Sequence, residues 1–172
     1  MGHWLPRLLR HRLLDEGDAR RALGEDAPAR IAASVAASEA RHSGQIRVCV
    51  EAGLPLSYLR RGASPRDRAV AMFGKLRVWD TEHNNGVLVY VLLAEHAIEI
   101  VADRGIDGRV DAAAWAAIAA RMREPFRGGD FAAGLDQAID AVDALLVRHF
   151  PRAPGDAAVA YPNELPDAPD IR

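Results

Sequence analysis

The sequence has a single cysteine, Cys49, and few aromatic residues, which make up 6% of the chain. One thiol excludes an internal disulfide and any zinc site built from several cysteines. Cys49 lies within a strand-like apolar pattern, which favours a buried side chain over a nucleophile, because catalytic thiols need exposed, electropositive surroundings. The 172 residues are 49% apolar, enough for one domain whose core is packed mainly by Ala, Val, Leu and Ile.

A strong net charge and a long apolar run are also lacking. The formal net charge is −2, without the clustered basic surface that nucleic-acid binding requires, so no nucleic-acid partner is expected. The longest apolar run, residues 87–94, is strand-sized and far short of the roughly 20 residues that span a bilayer. The N-terminus has arginines but no uninterrupted apolar core or small-residue cleavage site. We therefore expect a cytoplasmic location.

Residues 1–24 are expected to form a separate amphipathic extension. Apolar residues at helical spacing alternate there with basic ones: Trp4, Leu5, Leu8, Leu9 and Leu13 against Arg7, Arg10, His11 and Arg12. A basic amphipathic helix can lie on an anionic membrane, which would make a membrane protein or a membrane surface the partner of residues 1–16. The alternative is a helix that docks on its own domain. In either case Gly17 and Gly24 punctuate the segment, and we expect it to be dispensable for folding of the rest.

The remaining chain predicts seven elements in the order helix, strand, helix, strand, strand, helix, helix. They occupy 26–42, 45–52, 64–77, 87–94, 97–102, 111–125 and 130–150. The continuous apolar strand indicates burial on both faces and a central position. The first two strands are joined by a helical crossover and should be parallel, whereas the short link to the third predicts an antiparallel pair. The result is an α/β fold, with a mixed sheet covered by helices on both faces.

The C-terminal segment looks different from the rest. After Phe150 the chain contains five of the ten prolines and little that could be buried. Residues 151–172 are therefore expected to be a disordered tail. This leaves residues 25–150 as the folded domain.

Polar residues are concentrated in two loops beside the predicted hairpin. Loop 79–86 precedes the central strand and loop 102–108 follows its antiparallel partner, so both must lie at one edge of the sheet. With the start of the next helix they bring together carboxylates, amides, one histidine and one arginine: Asp80, Glu82, Asp103, Asp107, Asp111, Asn84, Asn85, His83 and Arg104. Hard oxygen ligands on loops suit Ca²⁺ or Mg²⁺. The alternative is that these residues are turns, caps and surface pairs.

Other polar patterns carry weaker signals. His83 is the one histidine beside the carboxylates, and so the one candidate for an acid, base or ligand from that residue type. Asp136, Asp140 and Asp143 share one side of the last helix and are expected to be a solvated face. The sequence contains no Gly-rich phosphate loop, serine nucleophile elbow or HExxH pattern.

Two segments resemble the TPM domain family. One is Asn84-Asn85-Gly86-Val87-Leu88-Val89, followed by the hairpin partner Ile98-Glu99-Ile100. The other, at 124–135, is similar to the family's Pro-Phe-x-x-Gly-Asp-Tyr-x-x-Gly-Ile stretch. The resemblance covers about residues 25–150 and implies a three-layer αβα sandwich with Rossmann-like packing. Members of the family include thylakoid-lumen and bacterial envelope proteins; some are reported as acid phosphatases, and some bind Ca²⁺ at the acidic edge.

The same resemblance implies a metal site and a substrate-binding residue. The metal ligands would be Asp80, Asn84, Asn85, Asp103 and Asp107. Arg104 would hold a phosphoryl oxygen. No nucleophile or base is recognisable, so enzymatic activity stays open. Two hypotheses follow: a domain that binds Ca²⁺ or Mg²⁺ with acid-phosphatase-like hydrolysis, and a non-catalytic interaction module associated with a membrane protein or membrane surface.

Overall fold

The structure is a computed structural model, which describes residues 4–152 and 162–172, apart from the side chains of Trp4 and Arg123. The helices and strands are α1 Trp4–Leu13, α2 Glu16–Leu23, α3 Ala27–Glu39, β1 Gln45–Glu51, α4 Leu56–Arg60, α5 Pro65–Lys75, β2 Gly86–Leu92, β3 Ala97–Ala102, α6 Arg104–Asp107, α7 Ala112–Arg127, α8 Phe131–His149 and β4 Asp170–Ile171. No helix in these ranges is long and apolar enough to cross a membrane.

The four strands form one mixed sheet in the order β3-β2-β1-β4. β1 and β2 are parallel, with Gln45 opposite Gly86, because α5 lies on the connection that returns the chain across the sheet. β2 and β3 are antiparallel, with Val87 opposite Ala102, because the single 3₁₀ turn between them is too short for a crossover. Both predicted pairings are confirmed.

The two central strands supply a separate core on each face of the sheet. Ile46, Val48 and Val50 pack on one side with α2, α3, α7 and α8. Cys49 and Tyr90 point to the other side and pack with α4 and α5. This alternation follows from the period of two in a strand and gives a three-layer α/β sandwich, as predicted. Burial raises the pKa of the Cys49 thiol, in agreement with its predicted place in the core.

The N-terminal helices are part of this packing. Ala19 and Leu23 of α2 are buried in the first core. The predicted extension is therefore not separate from the domain core, and its dispensability for folding stays a prediction. α1 docks on the domain through its polar residues: the Arg7 side chain donates to Glu95 Oε1 at 2.8 Å. The alternative in which the N-terminal helix docks on its own domain therefore holds for α1.

The predicted disorder of the C-terminal tail is wrong for residues 162–172, whereas the prediction for 153–161 lies outside the described residues. β4 pairs in parallel with β1, with Asp170 opposite Cys49, and Leu165 is only 5% exposed. Arg47 donates to the carbonyl oxygen of Pro166 at 2.9 Å. The segment is ordered by these bonds to β1, which a sequence rich in proline does not reveal.

Candidate functional site

The hairpin of β2 and β3 places the two polar loops side by side. The backbone N–H of Asp103, at the end of β3, donates to the carbonyl oxygen of Gly86 at 2.9 Å. Loop 79–85 enters the sheet at this point and α6 leaves it. The predicted convergence of the two loops is therefore a consequence of the antiparallel register.

Backbone atoms of the two loops are in direct contact. The N–H of Gly105 donates to the carbonyl oxygen of Asn84 at 2.8 Å. A Cβ added at Gly105 would lie 2.6 Å from the carbonyl oxygen of His83, so the close approach requires glycine. Asn84 has φ +51°, a left-handed conformation that asparagine tolerates better than most residues. The local sequence thus suits a tight junction.

A pocket of about 390 Å³ opens at this junction. Its lining combines a tryptophan with polar and charged side chains: Trp79, Asp80, Thr81, Asn84, Asp103 and Arg104. Trp79 is 51% exposed, so the mouth of the pocket has a large apolar surface. Three of the residues expected to bind metal, together with the expected substrate-binding arginine, are thereby gathered in one place.

Asp103 is incompletely bonded in this pocket. As the N-cap of α6, it accepts the backbone N–H of Arg104 on Oδ1 at 2.7 Å. Its Oδ2 is buried and has no hydrogen-bond partner among the described residues, and the residue is 8% exposed. A buried carboxylate oxygen without a donor or a cation is energetically costly. Asp103 is thus the carboxylate lining the pocket whose hydrogen bonding is incomplete.

Arg104 and Asp80 lie on the more exposed side of the pocket. Arg104 donates from Nε and Nη2 to Oδ1 of Asn84, at 3.2 and 3.1 Å. Asp80 forms an ion pair with Arg77, and its side chain is 45% exposed. Because surface ion pairs contribute little to stability, Asp80 can change partner at small cost.

The other sequence-predicted residues lie around the pocket but do not line it. Asn85 is fully buried, with Nδ2 3.4 Å from Ser43 Oγ and no described partner for Oδ1. Asp107 lines a neighbouring groove between β3 and α7. His83 is exposed and is not part of the lining. The structure therefore brings together Asp80, Asn84, Asp103 and Arg104, but not the whole predicted set.

The carboxylates in the pocket are few. Among residues 4–152 and 162–172, no group of three or more His, Cys, Asp or Glu side chains is placed to hold a metal ion. The pocket itself contributes two carboxylates, from Asp80 and Asp103, beside the Asn84 amide and the Thr81 hydroxyl. Ca²⁺ prefers six to eight oxygen ligands and Mg²⁺ keeps several waters. A cation here would depend on water or backbone oxygens for most of its shell.

The structure contains two buried polar clusters that the sequence analysis did not predict. In one, Glu51 accepts from the Arg68 guanidinium at 2.5 Å and from the Tyr90 hydroxyl at 2.7 Å. In the other, the Ser38 hydroxyl donates to Asp143 at 2.7 Å and lies 2.8 Å from His42 Nε2. The solvated face predicted for α8 is therefore wrong at Asp143, which is 6% exposed.

The serine, histidine and aspartate of the second cluster do not form an accessible catalytic triad. Ser38 and His42 are 3% and 0% exposed, which leaves no access for a substrate. Nδ1 of His42 lies 3.1 Å from the carbonyl oxygen of Gly44. Burial lowers the pKa of His42 to about 4, so the ring is neutral near pH 7. Only the i, i+4 spacing of Ser38, in the last turn of α3, and His42, just beyond the end of that helix, signals this cluster in the sequence.

Comparisons with known proteins agree with the fold. A family model described as the TPM domain matches residues 18–145, a range that includes both loops of the pocket. The NMR structure of the BA42 protein from the psychrophilic bacterium Bizionia argentinensis is similar, with 27% identity and a TM-score of 0.71. The match covers 86% of this chain and 94% of that one. The comparison with curated proteins found no match.

Proposed function

We propose that this chain, which belongs to the TPM domain family, binds a divalent cation in the pocket between loop 79–85 and α6. The proposal depends on one observation, the buried and unpartnered Oδ2 of Asp103. A cation adjacent to this oxygen would replace the missing hydrogen bond and offset the charge. Asp80 would supply the second carboxylate after leaving Arg77.

The donor set favours Ca²⁺ or Mg²⁺ over zinc. The pocket offers carboxylate, amide and hydroxyl oxygens but no sulfur or imidazole, and hard cations prefer oxygen. With only two protein carboxylates, this pocket resembles the sites in which Mg²⁺ retains water or completes its shell with a phosphate oxygen. We therefore expect a phosphorylated ligand to tighten the binding of the cation.

Hydrolysis of a phosphate ester is the activity that this arrangement supports best. A bound cation would stabilise negative charge on the phosphoryl group. Arg104 is exposed at the mouth of the same pocket, and its guanidinium can bind phosphoryl oxygens in a bidentate manner. The Thr81 hydroxyl already accepts the N–H of Asn85 at 3.1 Å, which favours water over this side chain as the attacking group.

An NMR titration of ¹⁵N-labelled protein with CaCl₂ and MgCl₂ tests the binding step. We expect amide shifts confined to residues 79–86 and 102–108. Asp103→Asn keeps the Oδ1 acceptor for the α6 cap but removes the charge, and it should abolish those shifts. Asp107→Asn is the matched control, because it removes a carboxylate from the neighbouring groove.

The Asp107→Asn control distinguishes a cation bound by Asp103 without Asp107 from a cation bound by both carboxylates. Binding that survives Asp107→Asn but not Asp103→Asn supports the pocket described here. Equal loss in both variants would mean that the cation lies between the two carboxylates, as the family resemblance implies. A wild-type spectrum unchanged by millimolar cation would refute the cation site.

Hydrolysis is measured separately with p-nitrophenyl phosphate, with and without Mg²⁺. We expect turnover that requires the cation and falls at least about tenfold in Arg104→Ala, since the guanidinium would contact the transferring group. Cation binding without any turnover would refute the phosphatase activity while leaving the binding site intact.

A further inference from the structure

Helix α1 turns polar side chains towards the protein, beside Leu8, which packs against the core that contains Cys49 and Tyr90. The His11 side chain is fully buried. Its Nδ1 accepts the backbone N–H of Leu54 at 2.9 Å, and its Nε2 lies 2.9 Å from Glu95 Oε1. Arg7, one turn earlier, donates to Glu95 Oε1 and to the carbonyl oxygen of Ala63 at 2.6 Å. These bonds fix the rotation of α1 about its own axis.

The opposite side of α1 exposes a row of leucines. Leu5, Leu9 and Leu13 are 60%, 58% and 76% exposed, and their spacing of four residues places them on one face of the helix. We call these three residues the leucine face. They span about 12 Å along the helix. Isolated exposed leucines are common on protein surfaces, but an aligned row on a helix held by buried polar bonds is not explained by folding.

The charged side chains of α1 itself are all basic, and Glu95, the acidic side chain that α1 contacts, is bound by Arg7 and His11 on the protein side of the helix. α1 contains no acidic residue, and its Arg10 and Arg12 are exposed. The neighbouring helix α4 also lacks acidic residues, and it adds the exposed Leu56 and Arg60. The next acidic side chains along the chain are engaged in α2, where Glu16 pairs with Arg20 and Asp15 caps the helix.

We propose that the leucine face docks on an anionic lipid surface. Leucines rimmed by arginines match the two layers of such a surface, because the apolar side chains enter the acyl boundary while the guanidinium groups contact acidic headgroups. The chain has a net charge of −2, so attraction to anionic lipid must come from this local basic region rather than from the whole molecule. The face is also preorganised, since His11 and Arg7 hold α1 in place before binding.

This inference is independent of the proposed cation site. The leucine face lies by β1's C-terminal end, where α1 contacts Leu54 and Glu95. The cation pocket lies at the other end of the sheet, beside Gly86 at the start of β2. Failure of one proposal therefore leaves the other standing.

Vesicle co-sedimentation with the full chain tests the proposal. The two probes are vesicles of phosphatidylcholine alone and of phosphatidylcholine mixed with phosphatidylglycerol. The wild type should sediment with the anionic vesicles, and binding should weaken by roughly tenfold when the ionic strength rises from low salt to about 0.15 M. Arg12→Glu should weaken it by a similar factor.

The decisive variant is Leu5→Ser/Leu9→Ser/Leu13→Ser, which should lose binding to the anionic vesicles. Because these side chains are mostly exposed, circular dichroism should show an unchanged fold. Val70→Ser is the matched control, since Val70 is a 51% exposed apolar residue on α5, and it should bind as the wild type does.

Three results would overturn the proposal. One is absence of wild-type binding to anionic vesicles at low salt, and another is equal binding by the triple-serine variant. The third is a wild-type dimer in sedimentation velocity that the triple-serine variant converts to a monomer, because the leucine face would then be an interface between copies of the chain.

Discussion

The side-chain oxygen of Asn84 accepts two hydrogen bonds from the Arg104 guanidinium, at 3.2 and 3.1 Å. The carbonyl oxygen of Asn84 accepts the N–H of Gly105 at 2.8 Å. One residue of the first loop thus bonds to two consecutive residues of the second, through its side chain and its backbone. The contact is possible because Asn84 is left-handed, with φ +51°. It holds the guanidinium of Arg104 at the mouth of the proposed cation pocket.

Two substitutions at Asn84 separate its backbone role from its side-chain role. Asn84→Ala loses the bonds to Arg104 and also meets the left-handed penalty, so it should lower the free energy of unfolding by about 1–2 kcal/mol. Asn84→Gly loses only the side-chain bonds and should stay within about 1 kcal/mol of the wild type. Urea unfolding measures both. Equal destabilisation by alanine and glycine would mean that the backbone conformation is unimportant here.

Gly105 should be intolerant of any side chain. A methyl group at this position would meet the carbonyl oxygens of Asn84 and His83, which are backbone atoms and cannot rotate away. We expect Gly105→Ala to lower the free energy of unfolding by about 1–3 kcal/mol.

Gly74→Ala is the control for that substitution. Gly74 is the penultimate residue of α5, and apart from the backbone of its own helix a Cβ there would meet no heavy atom within 4 Å. It should be stabilising by about 0.5–1 kcal/mol, because alanine is the better helix former. If both glycines accept alanine equally well, the close contact between the two loops is not a real constraint.

Glu39 should make the protein less stable as pH rises. The side chain is buried and accepts the N–H of Ile46 at 2.8 Å, and burial raises its pKa from 4.5 to about 7. Between these values the folded state holds a proton that the unfolded state has lost, so stability falls with increasing pH. Glu39→Gln should therefore gain up to about 3 kcal/mol above pH 7 and nothing below pH 4.5.

The pH dependence of stability that His42 contributes is opposite to that of Glu39, and it hides the Glu39 effect in the wild type. Its folded pKa is lowered from 6.5 to about 4 by burial, so its contribution to stability is lost as pH falls through that window. The two contributions nearly cancel, and Glu39→Gln should expose a fall of about 3 kcal/mol on acidification from pH 6.5 to 4. Urea titrations across this range check the slope. If the curves of unfolding free energy against pH are parallel for the wild type and Glu39→Gln, the raised pKa of Glu39 is wrong.

The C-terminal segment should contribute to stability through Leu165. This side chain is 5% exposed in the core that contains Cys49 and Tyr90. Leu165→Ala should cost about 2–3 kcal/mol of unfolding free energy. Leu13→Ala, which truncates a leucine that is 76% exposed, should change it by less than about 0.5 kcal/mol. A neutral Leu165→Ala would mean that residues 162–172 are not packed on the sheet.

Strand pairing was predictable from the sequence where local chemistry decides it. The apolar run of β2 and the short link to β3 specify an antiparallel hairpin, and a helix between β1 and β2 specifies a crossover. The two-residue strand β4 has no such signal. It depends on hydrogen bonds with β1 that join residues far apart in the chain, such as those that Gln45 Oε1 accepts from the N–H groups of Glu164 and Leu165.

The meeting of the two polar loops was predictable from the sequence, but the set of residues that line the pocket between them was not. Loop convergence follows from the hairpin register, whereas the direction of each side chain depends on local turns. Residues 104–107 form the short helix α6, which places Asp103 at the pocket and Asp107 at the groove between β3 and α7. The buried state of Asp143 was also unpredictable, because it depends on Ser38 in another helix.

The central claim is that a cation binds at Asp103, and the melting temperature of wild type and Asp103→Asn with added Ca²⁺ or Mg²⁺ tests it most directly. A ligand at a hundred times its dissociation constant adds about 2.7 kcal/mol of stability, which corresponds to roughly 5–10 °C for a domain of this size. We predict such a rise for the wild type and none for Asp103→Asn. A wild-type melting temperature that does not change at saturating millimolar cation, or an equal rise in both proteins, would contradict the account.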